Sequence, residues 1–141
     1  MVYTDDQGKQ SRPIMLHRAL LGSLERFIGT LIEHYAGNFP LWLAPVQVVL
    51  IPIKSAHEPF ALNVKARLQA QNLRVIMDSS NETLGKRIRE ATLKKIPYLL
   101  IVGDKEIENN QISVRKRSVD TGSMTIDALV SHLNQEIVDK K

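Results

Sequence analysis

From residue 46 onward, the hydrophobic pattern of the chain switches repeatedly between the period of a strand and the period of a helix. The first segment, residues 46–53, is an apolar run rich in Val and Ile, which is typical of a strand buried on both faces. The segments after it are predicted, in order, as helix 59–71, strand 73–77, helix 84–95, strand 97–102, strand 111–116 and helix 124–138. This order predicts a three-layer α/β domain whose mainly parallel sheet is flanked by helices.

The amino-terminal part of the chain has a different pattern. Residues 3–11 are rich in turn formers, and residues 13–18 alternate weakly, as a short strand does. Apolar side chains then recur at three- and four-residue steps from Leu20 as far as Tyr35, which predicts a helix. The pair Gly37-Asn38 is expected to end that helix, because both residue types adopt a left-handed conformation readily.

A linker separates these two patterns. Residues 39–45 contain two prolines around Trp42, so they cannot form the interior of a helix. We predict that they pack closely, with Trp42 as the core anchor of the junction. The domain boundary is therefore placed between residues 1–38 and residues 39–141.

Composition excludes several classes of protein. The chain has 141 residues, of which 43% are hydrophobic, so a sizeable core is available. It contains no cysteine, which excludes disulfides and thiolate metal sites. No apolar run reaches the roughly 18 residues of a membrane span, and the polar amino terminus does not resemble a signal peptide. We therefore expect no membrane partner and a cytoplasmic location.

The charge of the chain is unevenly distributed. The net charge is +4, and residues 74–117 hold ten Lys/Arg against six Asp/Glu. Residues 118–141 hold only two basic side chains against four acidic ones. A polyanion is therefore expected to meet the middle of the chain. The alternative is an ordinary solvated surface of mixed charge.

Three tracts of the sequence are diagnostic together. Residues 12–29, Arg-Pro-Ile-Met-Leu-His-Arg-Ala-Leu-Leu-Gly-Ser-Leu-Glu-Arg-Phe-Ile-Gly, resemble motif 3 of class II aminoacyl-tRNA synthetases. Residues 34–47, His-Tyr-Ala-Gly-Asn-Phe-Pro-Leu-Trp-Leu-Ala-Pro-Val-Gln, resemble the junction between motif 3 and the anticodon domain of the threonyl-tRNA synthetase family. The third tract is Gly-Asp-Lys-Glu at 103–106, followed by Val114-Arg115. The resemblance extends over nearly the whole chain.

This resemblance implies a fold and a function. Residues 1–38 would be the carboxyl-terminal end of the class II catalytic core, with the strand and helix of motif 3. Residues 39–141 would be an anticodon-binding domain with a five-stranded, mixed, mainly parallel sheet. The intact enzyme would be a homodimeric threonine–tRNA ligase that uses ATP. Because motifs 1 and 2 are missing, we expect this chain alone to be inactive. A monomer is one state that the sequence allows for this chain alone.

The resemblance also assigns roles in the catalytic core. His17 matches one of the three protein ligands of a zinc ion, and Arg26 matches the arginine that contacts ATP. Ser23 lines the same pocket, with Gly22 beside it. The alternative for His17 is a structural side chain on an apolar strand, and the alternative for Arg26 is an exposed helix residue. We expect neither zinc nor ATP to bind this chain by itself.

The positions that match the anticodon-reading residues of the family are Asn81, Glu106 and Arg115, with Arg89 and Lys95 as further basic positions of the same surface. Asn81 and Glu106 fall just after predicted strands, and Arg115 falls on the last predicted strand. Arg89 and Lys95 fall on the predicted helix 84–95. These residues are therefore expected to converge on one face of the sheet. The alternative is again a solvated charged face.

The chemistry of guanine leads to a finer prediction. Threonine anticodons share a middle guanine, whose edges carry two donors and two acceptors. A carboxylate can accept from both donors, and a guanidinium can donate to both acceptors. We therefore predict that Glu106 and Arg115 jointly read this base in the anticodon stem-loop of threonine tRNA, while Asn81 contacts a neighbouring base.

Two other functions remain open on sequence alone. One is residual adenylation by the motif 3 segment, although most of its pocket is missing. The other is a freestanding synthetase-like regulatory or interaction domain, which would be expected to lose Asn81, Glu106 and Arg115. The chain has no nucleotide-binding glycine loop and no serine-hydrolase elbow.

Overall fold

The structure is a computed structural model that describes residues 1–19, 21–117 and 119–140. It divides into two compact units, Met1–Leu31 and Ile32–Lys141. The strands are β1 Tyr3–Thr4, β2 Gln10–Ser11, β3 Val48–Pro52, β4 Val75–Met77, β5 Tyr98–Val102, β6 Gln111–Lys116 and β7 Val119–Thr125. The helices are α1 Leu24–Tyr35, α2 Glu58–Gln69, α3 Leu84–Leu93, α4 Asp104–Glu108 and α5 Ile126–Val138. No helix of these described residues is long and apolar enough to cross a membrane.

The first unit confirms the predicted turn. Strands β1 and β2 pair antiparallel, and the Asp5 carboxylate accepts hydrogen bonds from the backbone of Gln7 at 3.0 Å and Lys9 at 2.8 Å. The strand predicted over residues 13–18 is wrong: the described residues there form none. A strand needs a partner for its backbone groups, and the sheets described here offer none beside this segment.

The helix of the motif 3 segment begins later than its apolar pattern. Gly22 has a φ of +64°, a left-handed conformation that interrupts a right-handed helix. Ser23 follows it, and its Oγ lies 3.5 Å from the backbone nitrogen of Arg26, the position of a helix cap. Helix α1 therefore starts at Leu24. Leu20, with which the apolar pattern begins, lies outside the described residues.

The second unit contains the predicted five-stranded sheet, in the order β4-β3-β5-β6-β7. Strand β3 pairs parallel with β4 and with β5, whereas β5–β6 and β6–β7 are antiparallel. The α/β fold with a mixed sheet flanked by helices is thus confirmed, with parallel pairing limited to three strands. The helices α2 and α3 are the crossovers between these parallel strands.

Strand β7 was not located in the sequence. Its residues are mostly exposed and include Gly122, whose φ is +86°, so no alternation of apolar side chains marks it. A β-bulge shifts the register near Arg115, and the Thr121 hydroxyl donates to the carbonyl of Val114 at 2.7 Å. The strand continues through Thr125, whose side chain caps α5 by accepting from Ala128 N at 3.3 Å. The last helix therefore begins at Ile126 rather than 124.

The two faces of the sheet are covered unequally. On one face, α2 and α5 pack against Leu50, Leu100, Ile112 and Val114, all of which are completely buried. We call this the closed face. On the other face, α3 covers only Val49, Ile51 and Leu99. The neighbouring part of that face, formed by Ile101, Gln111, Ser113 and Arg115, is only half-buried, and we call it the open face.

The linker before β3 is held by specific hydrogen bonds. The buried Gln47 side chain donates to Leu41 O at 2.9 Å and accepts from Arg74 N at 2.8 Å. Arg74 Nε in turn donates to Ala44 O at 2.9 Å. Leu41 is 1% exposed, whereas Trp42 is 39% exposed. The prediction that Trp42 anchors the junction is therefore wrong, because the linker turns Leu41 into the core instead.

Candidate nucleic-acid interface

The loops after β3 and β5 are tied together at the carboxyl edge of the sheet. Because these strands are parallel neighbours, their ends meet there, where ligands of α/β sheets usually bind. Asp104 lies 3.0 Å from Lys54 Nζ through Oδ2 and 2.9 Å from His57 Nε2 through Oδ1. One carboxylate therefore joins the turn after β5 to the loop after β3.

His57 is the buried member of this bridge, with only 2% of its surface exposed. Its Nδ1 accepts a hydrogen bond from Lys54 N at 3.2 Å, so the proton resides on Nε2 and is donated to Asp104. The hydrogen bond from His57, together with the Lys54 ammonium, lowers the pKa of Asp104 below its ordinary value.

Glu106 follows Asp104 in the short helix α4. Its Oε2 accepts a hydrogen bond from the backbone nitrogen of Gly103 at 3.0 Å, which fixes the carboxylate against the start of the helix. A β-carbon on Gly103 would lie 2.8 Å from Ile53 Cδ1, so this residue packs closely on the loop after β3. Glu106 itself is half-buried, with oxygen lone pairs left to accept from a ligand.

Asn81 lies on the exposed loop after β4, beside a polar cleft of about 250 Å³. The buried Arg87 organises this loop: its Nη1 donates to Pro52 O at 2.8 Å, its Nη2 donates to Asp78 O, and its Nε is 3.2 Å from Asp78 Oδ2. Burial alone would raise the pKa of Asp78, but hydrogen bonds from Ser80 and the charge of Arg87 outweigh it and lower that pKa.

Arg115 belongs to the open face. It pairs in register with Leu99 of β5, whose side chain contacts the core under α3, so both side chains lie on that side of the sheet. The Nε of Arg115 is buried and has no hydrogen-bond partner within the described part of the chain. A buried donor without a partner costs free energy. Arg115 as a whole is only half-buried, so its guanidinium is suited to an acceptor supplied by a ligand.

Arg89 and Lys95 are both exposed. Arg89 lies on α3, and Lys95 follows that helix in a left-handed conformation with a φ of +57°. Helix α3 packs on the side of the sheet to which Arg115 belongs, so Arg89 and Arg115 are carried by elements of the same side. The structure thus places Asn81 on the loop after β4, Glu106 in α4 after β5 and Arg115 on β6. Arg89 lies on α3, and Lys95 lies just after that helix.

Other basic residues of the middle segment have partners inside the chain. Lys86 is 2.7 Å from Glu82, and Lys116 is 2.8 Å from Glu136 on the closed side. Arg117 donates to the carbonyls of Asn38 at 3.2 Å and Phe39 at 3.1 Å, where it holds the linker. Much of the positive charge that the sequence concentrates here is therefore structural.

The residues matched to the catalytic core lie in the first unit. His17 and Arg26 are exposed, and the Ser23 hydroxyl donates to Glu25 at 2.7 Å, which lowers the pKa of that carboxylate. Within the described residues no group of three His, Cys, Asp or Glu is placed to hold a metal ion. The assignment of His17 as a zinc ligand therefore stays a prediction.

Sequence reasoning missed Lys54, His57 and Asp104, the three members of the bridge. The available signal was positional: both loops follow adjacent buried strands, so their polar residues had to meet.

Comparison with known proteins decides the family. The family described as "Anticodon binding domain" matches residues 47–136. The chain belongs to this family. It is also 52% identical over 139 residues to the threonine–tRNA ligase of Legionella pneumophila (strain Corby), and 48% identical over 142 residues to that of Finegoldia magna. These matches cover 98% and 100% of the chain but 22% of each relative.

Solved structures of similar proteins agree with this family assignment. The RNA-binding domain of threonyl-tRNA synthetase from Cryptosporidium parvum matches with a TM-score of 0.77 and 31% identity, over 93% of this chain and 33% of that one. Prolyl-tRNA synthetase from the same organism matches with a TM-score of 0.64 and 26% identity, over 72% of this chain and 22% of that one. The anticodon-binding fold is therefore shared with both.

Proposed function

We propose that this chain is the anticodon-reading part of a threonyl-tRNA synthetase and that it binds the anticodon stem-loop of threonine tRNA. Two observations carry the proposal: Arg115 lies on the open face with a buried Nε that has no hydrogen-bond partner among the described residues, and the Glu106 carboxylate is oriented by Gly103 N just beyond the neighbouring strand β5. Retention of Asn81 on the loop after β4 argues against a regulatory domain that has lost RNA specificity.

The spacing of the two residues suits a base between them. Arg115 lies opposite Leu99, and Gly103 follows four residues later along the chain. At about 3.3 Å per residue, the level of Arg115 is roughly 13 Å from the turn that carries Glu106. Both side chains are long enough to bridge part of this distance, which leaves room for a splayed, planar base. The middle guanine of the anticodon offers donors to Glu106 and acceptors to Arg115.

Binding of stem-loop RNA to the full chain tests this proposal. The wild-type chain should bind the stem-loop with the middle guanine more tightly than a variant with adenine there. Arg89→Ala and Lys95→Ala should weaken the binding of both RNAs alike. Each should also reduce the slope of log affinity against log salt by about 0.7 if the wild-type side chain neutralises one phosphate. Equal affinity of the wild-type chain for both stem-loops would refute base recognition.

The remaining residues belong to a larger proposal. Because the chain spans about a fifth of its threonine–tRNA ligase relatives, we propose that it is part of a longer, homodimeric cytoplasmic enzyme of this activity. His17 would supply one zinc ligand there, and Ser23 and Arg26 would line the ATP site. This chain alone should show no threonine-dependent exchange of pyrophosphate into ATP above a His17→Ala control, and such exchange would contradict the proposal.

A further inference from the structure

The turn that carries Glu106 has little stability of its own. Helix α4 has only five residues, Asp104–Glu108, and so short a helix is not stable without tertiary contacts. Its connections to the loop after β3 are the bonds of Asp104 and the close packing of Gly103 on Ile53. Ile107 of α4 packs on the core of the closed face, so the contacts with the loop after β3 hold the helix from its other end and help to set the direction of the Glu106 carboxylate.

Asp104 is 69% exposed in its side chain, yet both of its oxygens are already bonded within the chain. Oδ1 accepts from the buried His57, and Oδ2 contacts the Lys54 ammonium. A carboxylate used in this way is poorly suited to bind a base itself. Its position two residues before Glu106 makes it suited instead to orient the helix from which Glu106 projects.

His57 fixes the direction of the hydrogen bond to Asp104. Since Nδ1 of His57 accepts from the Lys54 backbone, the ring is held in one orientation and presents Nε2–H to Asp104. Asp104 then sets the first turn of α4, and the Gly103 N–H in that turn binds Glu106 Oε2. Two hydrogen bonds of His57, the Gly103–Asp104 backbone and the bond from Gly103 N thus connect the loop after β3 to the carboxylate proposed to read the base.

We propose that Lys54, His57 and Asp104 are positioning residues that determine the base specificity of Glu106 without touching the RNA. This inference rests on the proposed function, because it concerns the same recognition of the middle guanine. A carboxylate held in place accepts both guanine donors together, whereas a mobile one accepts them less often and tolerates other bases better. Loss of the bridge should therefore reduce discrimination more than it reduces general RNA affinity.

The test compares Kd values of the full chain for stem-loops with guanine or adenine in the middle position. Asp104→Asn keeps an oxygen for His57 and loses the ion pair with Lys54, so it should lower the guanine preference by roughly threefold, and Asp104→Ala by roughly tenfold. Asp127→Asn is the matched control, since Asp127 also lies in the first turn of a helix, α5, and pairs with a basic residue, Arg67. It should leave the guanine preference unchanged.

Two substitutions at position 57 distinguish loss of the Glu106 orientation from loss of folding of the chain. A Gln amide can place a donor near the former Nε2, whereas an Asn amide reaches only the region of Nδ1. His57→Gln should therefore keep more of the guanine preference than His57→Asn at equal folded fraction, which thermal unfolding would establish. If a position 57 variant does not fold, Lys54→Met is measured in its place. Lys54→Met should lower the guanine preference less than Asp104→Ala does.

The outcomes distinguish this inference from the proposed function. If wild type prefers guanine and the Asp104 and Lys54 variants keep that preference, or lose affinity for both RNAs equally, the positioning role is refuted and base recognition stands. If wild type shows no preference, the proposed function itself fails. A preference that falls in the predicted order, with Asp127→Asn unchanged, supports the positioning role.

Discussion

The closed and open faces of the same sheet have opposite compositions. On the closed face, the strand residues are apolar, fully buried and covered by two helices, α2 and α5. On the open face, Gln111, Ser113 and Arg115 of β6 alternate with Ile112 and Val114 but remain half-buried and are not covered by α3. One strand therefore contributes to the hydrophobic core with one set of side chains and to a polar surface with the other.

This difference separates stability from recognition. Burial of apolar area on the closed face supplies the driving force for folding, at about 25 cal/mol per Å². The open face contributes little to that term, so its polar side chains are free to serve a ligand. It follows that substitutions on the two faces should affect different measurements, even where they are neighbours in sequence.

The largest expected effect comes from neighbouring residues of β5. Leu100 is fully buried on the closed face, whereas Ile101 is half-buried on the open face. Leu100→Ala should lower the free energy of unfolding by about 2–5 kcal/mol through lost burial and the cavity that remains. Ile101→Ala should cost less than half as much. Urea unfolding of both variants measures this, and equal losses would show that the two faces do not differ in packing.

A smaller effect is expected at the polar edge of the closed face. The Tyr98 hydroxyl donates to Glu136 at 2.5 Å, and burial together with this bond raises the pKa of Tyr98 well above its ordinary value. Tyr98→Phe should lower the free energy of unfolding by about 1–2 kcal/mol, because Glu136 loses a donor. Tyr3→Phe in the first unit is the matched control. Stem-loop binding by the Tyr98→Phe variant should be unaffected. A change in its guanine preference would contradict the separate roles of the two faces.

The smallest effect concerns acid stability at the edge of the open face. The folded-state pKa of Asp104 is depressed, so its contribution to stability is present above the unfolded value of about 3.9 and is lost as pH falls through the lower folded value. Asp104→Asn should therefore destabilise the chain slightly at neutral pH and show a shallower loss of stability below about pH 4. Thermal unfolding from pH 7 to pH 3 measures this, and parallel pH profiles of wild type and variant would contradict it.

The parts of the fold that were predictable from sequence are those with strong apolar periodicity. Strands β3 and β5 and the helices α2, α3 and α5 were all located, because burial on the sheet imposes a pattern on their residues. Strand β7 was missed since its side chains are exposed and polar, and its pairing is determined by β6 rather than by its own pattern. Trp42 was misjudged because large size predicts burial only on average, and the linker turns Leu41 inward instead.

The candidate site shows the same limit. The positions of Asn81, Glu106 and Arg115 at strand ends and on β6 followed from the predicted topology, together with the resemblance. The bridge of Lys54, His57 and Asp104 did not, since it joins residues 47 and 50 positions apart in sequence. Whether a polar side chain is buried, oriented or free depends on such tertiary contacts, which no local pattern specifies.

The most direct test of the account is the guanine-over-adenine preference of variants at Glu106 and Arg115. Glu106→Gln and Arg115→Ala should each narrow the ratio of the two Kd values by the equivalent of about 1–3 kcal/mol, with little change in the free energy of unfolding. If both variants instead lower the two affinities equally, these residues contribute only general charge. The open face would then be a solvated surface rather than the part of the molecule that reads the anticodon.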